Sequence, residues 1–185
     1  MIVRGVNGVT IVICLTVLLS CAEPDGGASV DSPGSGSAEP AYTINGTPVR
    51  LGDIRGDGAV SLQASVGGDL NDDGREDLAA VLVSNSDGSG VFYHLNVFTA
   101  NGDGGWRFVG EELLGDRVRF DFLDIYGEGS VSSVTDVPIH PDDYGMLVAA
   151  YYTRSGEQSF ADEPELYITK HWRVADGALV QIENY

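Results

Sequence analysis

Apolar and polar residues alternate along most of this chain in short runs, closed by Asn-Gly, Gly-Asp, Asp-Gly and Gly-Glu-Gly. That punctuation belongs to a β protein. Thr43-Ile44 and the run from Thr47 to Leu51 flank Asn45-Gly46, the dipeptide that best accepts the two positive φ angles of a type I′ hairpin turn. Run 78–84 (LAAVLVS) is almost wholly apolar and predicts a central strand buried on both faces. Run 91–99 returns after a turn of Ser, Asp and Gly. Val118, Phe120 and Phe122 alternate with Arg119 and Asp121, the mark of a half-exposed strand. Runs 131–137, 146–153, 166–174 and 178–182 bring the expectation to eight to ten strands. Only 111–114 suggests a helical turn. The fold class expected is all-β, a single antiparallel domain built as a sandwich or a strongly curved sheet.

Two segments break this pattern. Residues 1–20 carry Arg4 and then an uncharged apolar stretch from Val9 to Leu19, the layout of a secretory signal. The stretch is too short to span a bilayer, which needs about 20 apolar residues, and Glu23, Pro24 and Asp25 follow at once. Leu18-Leu19-Ser20-Cys21 resembles the lipobox of bacterial lipoproteins. That resemblance implies cleavage before Cys21, a diacylglyceryl thioether on its sulfur and further acylation of its amine. Several acyl chains at about 0.8 kcal/mol per buried CH₂ hold a protein on a membrane. The resemblance also places the protein in the bacterial cell envelope, with Ala22 after the cysteine pointing to the outer rather than the inner membrane of a diderm cell. The second segment, from Ala22 to Pro40, is Gly, Ser, Pro, Ala and acid with one valine, and reads as a flexible tether reaching roughly 25 Å. The organisation expected is therefore a signal peptide at 1–20, a lipidated Cys21 with its tether over 21–41, and a β domain over 42–185.

Composition narrows the partners. With 185 residues the chain fits one domain, and 28 acidic against 10 basic side chains give a formal charge of −18. Nucleic acid is excluded as a partner, because phosphate binding relies on clustered Lys and Arg. Attraction to an anionic membrane through basic residues fails for the same reason. The two cysteines, Cys14 and Cys21, fall to the signal and to the lipid, so no disulfide is expected.

The acidity contains one ordered constellation. Asp69, Asn71, Asp73 and Asp77 stand at positions 1, 3, 5 and 9 of the loop 69–77, with Gly74 at position 6 and Arg75 at position 7 offering its main-chain carbonyl. Ca²⁺ takes six to eight hard oxygen ligands, and alternate residues of a tightly turning loop point inward together. An EF-hand needs Glu at position 12, where this chain has Ala80. The loop instead resembles the calcium loop of FG-GAP and integrin-type β repeats, in which Asp at position 9 closes the shell and the chain enters a strand. The expected cofactor is one structural Ca²⁺. Thr99-x-Asn101-x-Asp103-Gly104 repeats part of the pattern, but Arg107 replaces the closing Asp and a plain hairpin turn is expected there.

A wider resemblance runs from Gly68 to Val118, through Gly68-Asp69-Leu70, Gly88-Ser89-Gly90-Val91-Phe92-Tyr93 and Leu114-Gly115-Asp116-Arg117-Val118. It is to a domain of uncharacterised secreted and lipid-anchored bacterial proteins, and it implies export and fold without a reaction. No G-x-S-x-G, H-E-x-x-H, Walker or Rossmann pattern occurs. His94 and His171 sit in strand-like runs and read as packing residues. His140, beside Asp142, is the better candidate for a metal or proton-transfer role. Two functions are therefore expected in order. The first is a binding or envelope module for an envelope protein or glycan, drawing on an aromatic patch from Tyr93, Tyr126, Tyr144, Tyr151, Tyr152 and Trp172. The alternative is a glycan-directed hydrolase with a cleft lined by Asp121, Asp136, His140 and Asp142.

Overall fold

The computed structural model describes residues 38–55, 58–85, 90–132, 135–159 and 161–183, so the signal segment, Cys21 and nearly all of the tether lie outside them. Asn45 and Gly46 take φ of 52° and 70° and turn β1 (Thr43–Ile44) back onto β2 (Thr47–Pro48), as a type I′ turn demands. A second small hairpin joins β3 (Ile54–Arg55) to β4 (Gly58–Ala59). Eight longer strands follow: β5 (Ser61–Gly68), β6 (Asp77–Asn85), β7 (Val91–Ala100), β8 (Trp106–Asp116), β9 (Arg119–Ile125), β10 (Leu147–Thr153), β11 (Leu166–Ala175) and β12 (Ala178–Ile182). They form two antiparallel four-stranded sheets, ordered β5-β6-β7-β8 and β9-β10-β11-β12. The fold is all-β, as the patterning predicted, and the two-residue strands take the number above eight to ten.

The sheets face each other across one core. Ala79, Val81, Leu95 and Val97 of the first sheet pack with Ile125, Leu147, Ala149, Tyr151 and Trp172 of the second. Alternate residues point the other way, so β6 and β7 also bury Ala80, Leu82 and Phe98 on the outer side, beneath Tyr42, Ile44 and Val49 of the N-terminal hairpin. This double burial is why 78–84 carries almost no polar residue. The second sheet has its own outer cover, where Tyr126, Met146 and Val148 cluster with Phe122 and Ile139. Edge strands close on each other through glycine: a Cβ on Gly110 of β8 would meet Leu179 of β12 at 2.6 Å, and one on Gly68 of β5 would meet Ile125 of β9 at 2.8 Å.

Three local expectations change. Residues 111–114 lie inside β8 rather than in a helical turn, because the β7–β8 pairing carries two register shifts that break the alternation. Among the described residues, run 131–137 forms only the isolated bridge Val131↔Pro138, with Asp136 at φ 54° and Pro138 lacking an N–H. Strand β5 was not anticipated, since SLQASVGG holds few apolar residues and lies at a sheet edge.

Candidate functional site

The 69–77 loop leaves β5 and re-enters the sheet at β6. Asp72 at φ 59° and Gly74 at φ 76° give it two left-handed residues, and these tighten it into a stack of side-chain turns. Asp69 Oδ1 accepts the N–H groups of Asn71 (3.2 Å) and Asp73 (3.1 Å), and its Oδ2 accepts that of Gly74 (2.7 Å). Asn71 Oδ1 accepts the same Asp73 N–H at 3.1 Å, so the oxygens of positions 1 and 3 lie side by side. Asp73 turns to Arg75, whose guanidinium donates to Oδ2 at 2.6 Å and whose N–H donates to Oδ1 at 3.0 Å. The Arg75 bond holds the exposed Asp73 carboxyl below its ordinary range.

Asp77 differs from the other three because it is fully buried. Its Oδ2 accepts from Leu70 N at 3.0 Å and its Oδ1 from Ala100 N at 2.8 Å, tying the loop entrance to the end of β7. Burial pushes its carboxyl up, against those two donors, and the charges of Asp73 and Asp69 push the same way. For Ca²⁺ the donor chemistry fits, being oxygen only, with positions 1 and 3 already adjacent. Asp73 and Asp77 face Arg75 and backbone amides, and among the described residues no three Asp, Glu, His or Cys side chains converge as a group. An ion must therefore draw Asp73 away from Arg75.

Beside the loop opens a cleft of about 650 Å³, walled by Asp69 and Asp72 on one side and by Tyr126, Glu128, Tyr144 and Arg173 on the other. It lies where the β5–β6 loop meets the β9–β10 connection. Arg173 braces that connection by donating to the carbonyls of Tyr144 and Asp142.

Of the expected hydrolase set, His140 and Asp142 stand together, Nδ1 to Oδ2 at 3.4 Å, while Asp121 on β9 lies apart from them. His140 caps the short 3₁₀ turn Pro141–Asp143, accepting from Asp142 N at 3.3 Å with its side chain 70% exposed. Asp121 accepts from Tyr167 O–H at 3.0 Å. Arg173, which holds Asp142, is six residues further along the same strand, roughly 20 Å at the rise of a strand.

The expected aromatic patch also divides. Trp172 and Tyr151, each 1% exposed, fill the inter-sheet core, and Tyr126 is buried under the outer cover of the second sheet. Tyr152 is half-buried; its ring lies under the Arg119 guanidinium at 3.9 Å and beside Tyr167 at 4.7 Å. Tyr167, 38% exposed, was missing from the expected patch. The alternation of 166–174 was available to find it, since Trp172 and Tyr167 differ by an odd number and so face opposite sides.

A polar seam lies under the N-terminal hairpin. Glu111 of β8 accepts four donors: Asn45 N (2.7 Å) and His94 Nδ1 (3.2 Å) at Oε1, Thr43 Oγ1 (2.9 Å) and Gly46 N (3.1 Å) at Oε2. These occupy all the lone-pair positions of a carboxylate. Burial alone would raise this carboxyl, but Gly46, Asn45, Thr43 and His94 together outweigh burial and hold it below its ordinary value. Ser84 Oγ lies 3.4 Å from His94 Nε2, completing a Ser84–His94–Glu111 line. A nucleophile needs access and an acid that is free to orient its base. Here Ser84 and His94 are 5% and 2% exposed, and Glu111 is saturated by the hairpin, so the line is a structural seam. His94 is fully buried, in keeping with a packing residue.

Comparison with protein-family models, curated proteins and solved structures found no match.

Proposed function

We propose that this protein is an exported, lipid-anchored β module of the bacterial envelope that binds one Ca²⁺ at 69–77 and uses the adjoining cleft to hold an envelope glycan. The observation that carries the reading is the juxtaposition of loop and cleft, since Asp69 and Asn71 belong to both. A concave seat with a few convergent polar groups is the ordinary form of a small-ligand site. The half-buried Tyr144 and the carboxylates around it suit sugar rings and their hydroxyls. Calcium supports the seat by fixing the loop wall, and the lipid at Cys21 supports it by keeping the module at the envelope.

Two measurements on the domain test this reading. Thermal melts in calcium and in chelator are expected to differ by several degrees, since an ion bound only to the folded state stabilises it by mass action. Titration with soluble envelope glycan fragments is expected to show binding in calcium that Tyr144→Ala weakens and Tyr167→Ala leaves alone. Coincident melts would remove the ion from the proposal. Binding that follows Tyr167 would move the seat to the outer face of the second sheet, and absence of binding would leave a protein partner.

A further inference from the structure

Two described Asn-Gly pairs stand in hairpin turns of opposite environment. In general chemistry the Asn-Gly bond is open to self-modification. The glycine nitrogen gives up its proton to base and its lone pair attacks the asparagine Cγ. That forms a five-membered imide and expels the side-chain nitrogen as ammonia. Water then adds to either imide carbonyl, breaking one C–N bond and leaving aspartate or its β-linked isomer. The reacting form is the amide anion, so a negative charge against that nitrogen suppresses the step.

Asn45-Gly46 has such a charge. Gly46 N–H donates to Glu111 Oε2 at 3.1 Å and Asn45 N–H to Oε1 at 2.7 Å, so the Asn45-Gly46 peptide sits on a carboxylate. Asn101-Gly102 has none. In that turn Asn101 N donates to Gly105 O at 2.8 Å and Gly104 N to Asn101 O at 3.2 Å; both pairs are exposed, so the carboxylate and not burial separates them. Among the described residues nothing accepts from Gly102 N–H. Beyond its chain neighbours, what lies beside Gly102 is cationic: a Cβ there would meet Arg75 Nη1 at 3.6 Å.

We propose that Asn101 is the spontaneous deamidation site of the folded protein and that Asn45 is a latent one, held unreactive by the Glu111 carboxylate. Reaction at Asn45 sets a second carboxylate, or a lengthened backbone, against Glu111 and unfastens the hairpin from Ala80, Leu82 and Phe98.

Peptide mapping by mass spectrometry after incubation at mildly alkaline pH tests this, with the wild-type protein as its own control. In the folded protein Asn101 is expected to convert at least about tenfold faster than Asn45, the scale of a charge-assisted bond. In concentrated urea the two rates are expected to converge, since the Asn-Gly chemistry is then the same. Equal rates in the folded protein, or a ratio that survives urea, would overturn the proposal. Glu111→Gln separates the charge from the turn geometry: Asn45 is expected to accelerate while Asn101 keeps its rate. An unchanged Asn45 in a variant with unchanged Asn101 would overturn the role of the carboxylate. If both sites of the variant react at their urea rates, the fold is lost and the wild-type ratio decides.

Discussion

Asp77 and Arg75 are two residues apart and have opposite effects on the loop. Asp77 is the buried acceptor for two backbone donors, Leu70 N and Ala100 N, which lose that partner if it is removed. Asp77→Ala is expected to cost about 3 kcal/mol, read as a lower urea midpoint with an unchanged slope. Arg75 is exposed and holds Asp73 in an ion pair of little worth to the fold. Arg75→Ala retains the main-chain carbonyl and frees Asp73. It is expected to leave the melt in chelator within about 0.5 kcal/mol and to tighten calcium binding, measured by titration calorimetry. Weakened binding would show that the guanidinium organises the site rather than competing for it.

The N-terminal hairpin is an element too small to stand alone, and side chains of the first sheet do the work that a neighbouring strand would do. Asn96, wholly buried, accepts from Thr43 N at 2.7 Å and donates to Thr43 O at 3.0 Å, imitating a backbone partner. Asn96→Ala is expected to cost about 2 kcal/mol and to loosen the hairpin first. Trp106 packs against the cluster that the hairpin covers, whereas Trp172 lies in the inter-sheet core. The loosening is therefore expected as a partial red shift of tryptophan emission before global unfolding. A single transition at all wavelengths would show that hairpin and sandwich are one cooperative unit. The hairpin turn was legible in the sequence because Asn-Gly states its own φ angles. Its fastening was not, because Asn96 and Glu111 read as ordinary polar residues until strand register places them beneath Thr43 and Gly46. Strands β5 and β8 were hidden for a related reason: a sparse edge strand and a bulged one both lose the period of two.

At the scale of the whole molecule, acid is expected to destabilise the domain in two steps. Burial lowers the His171 pKa against the opposing charge of Asp143, so the unfolded chain binds a proton that the folded one resists. Stability is therefore lost as pH falls through about 6.5, the ordinary histidine value, and His171→Gln is expected to abolish that step. Glu111 is held low, so its contribution is complete above about 4.3 and disappears as pH falls through its folded value below that. Asp77, held high, works the other way, its protonation favouring the fold as pH falls through its raised value. Urea midpoints across pH 3 to 8, for wild type and His171→Gln, measure both steps; superimposable curves near pH 6 would remove His171 from the account.

What the sequence determined by itself was whatever short-range geometry encodes. The β class follows from a period of two, the type I′ turn from Asn45-Gly46, the central strand from an unbroken apolar run, and the tight loop from oxygen side chains two residues apart. What only the tertiary structure decided was the company each residue keeps across strands. Trp172 and Tyr151 went inward while Tyr167 stayed out, and Asp121 was parted from Asp142. Ser84, His94 and Glu111, on three successive strands, met in one seam. Local φ and ψ preferences act over a few residues, but a cross-strand partner depends on register. Here the register was set by four shifts, one in β5–β6, two in β7–β8 and one in β9–β10, and by a shared core, which belong to the whole fold.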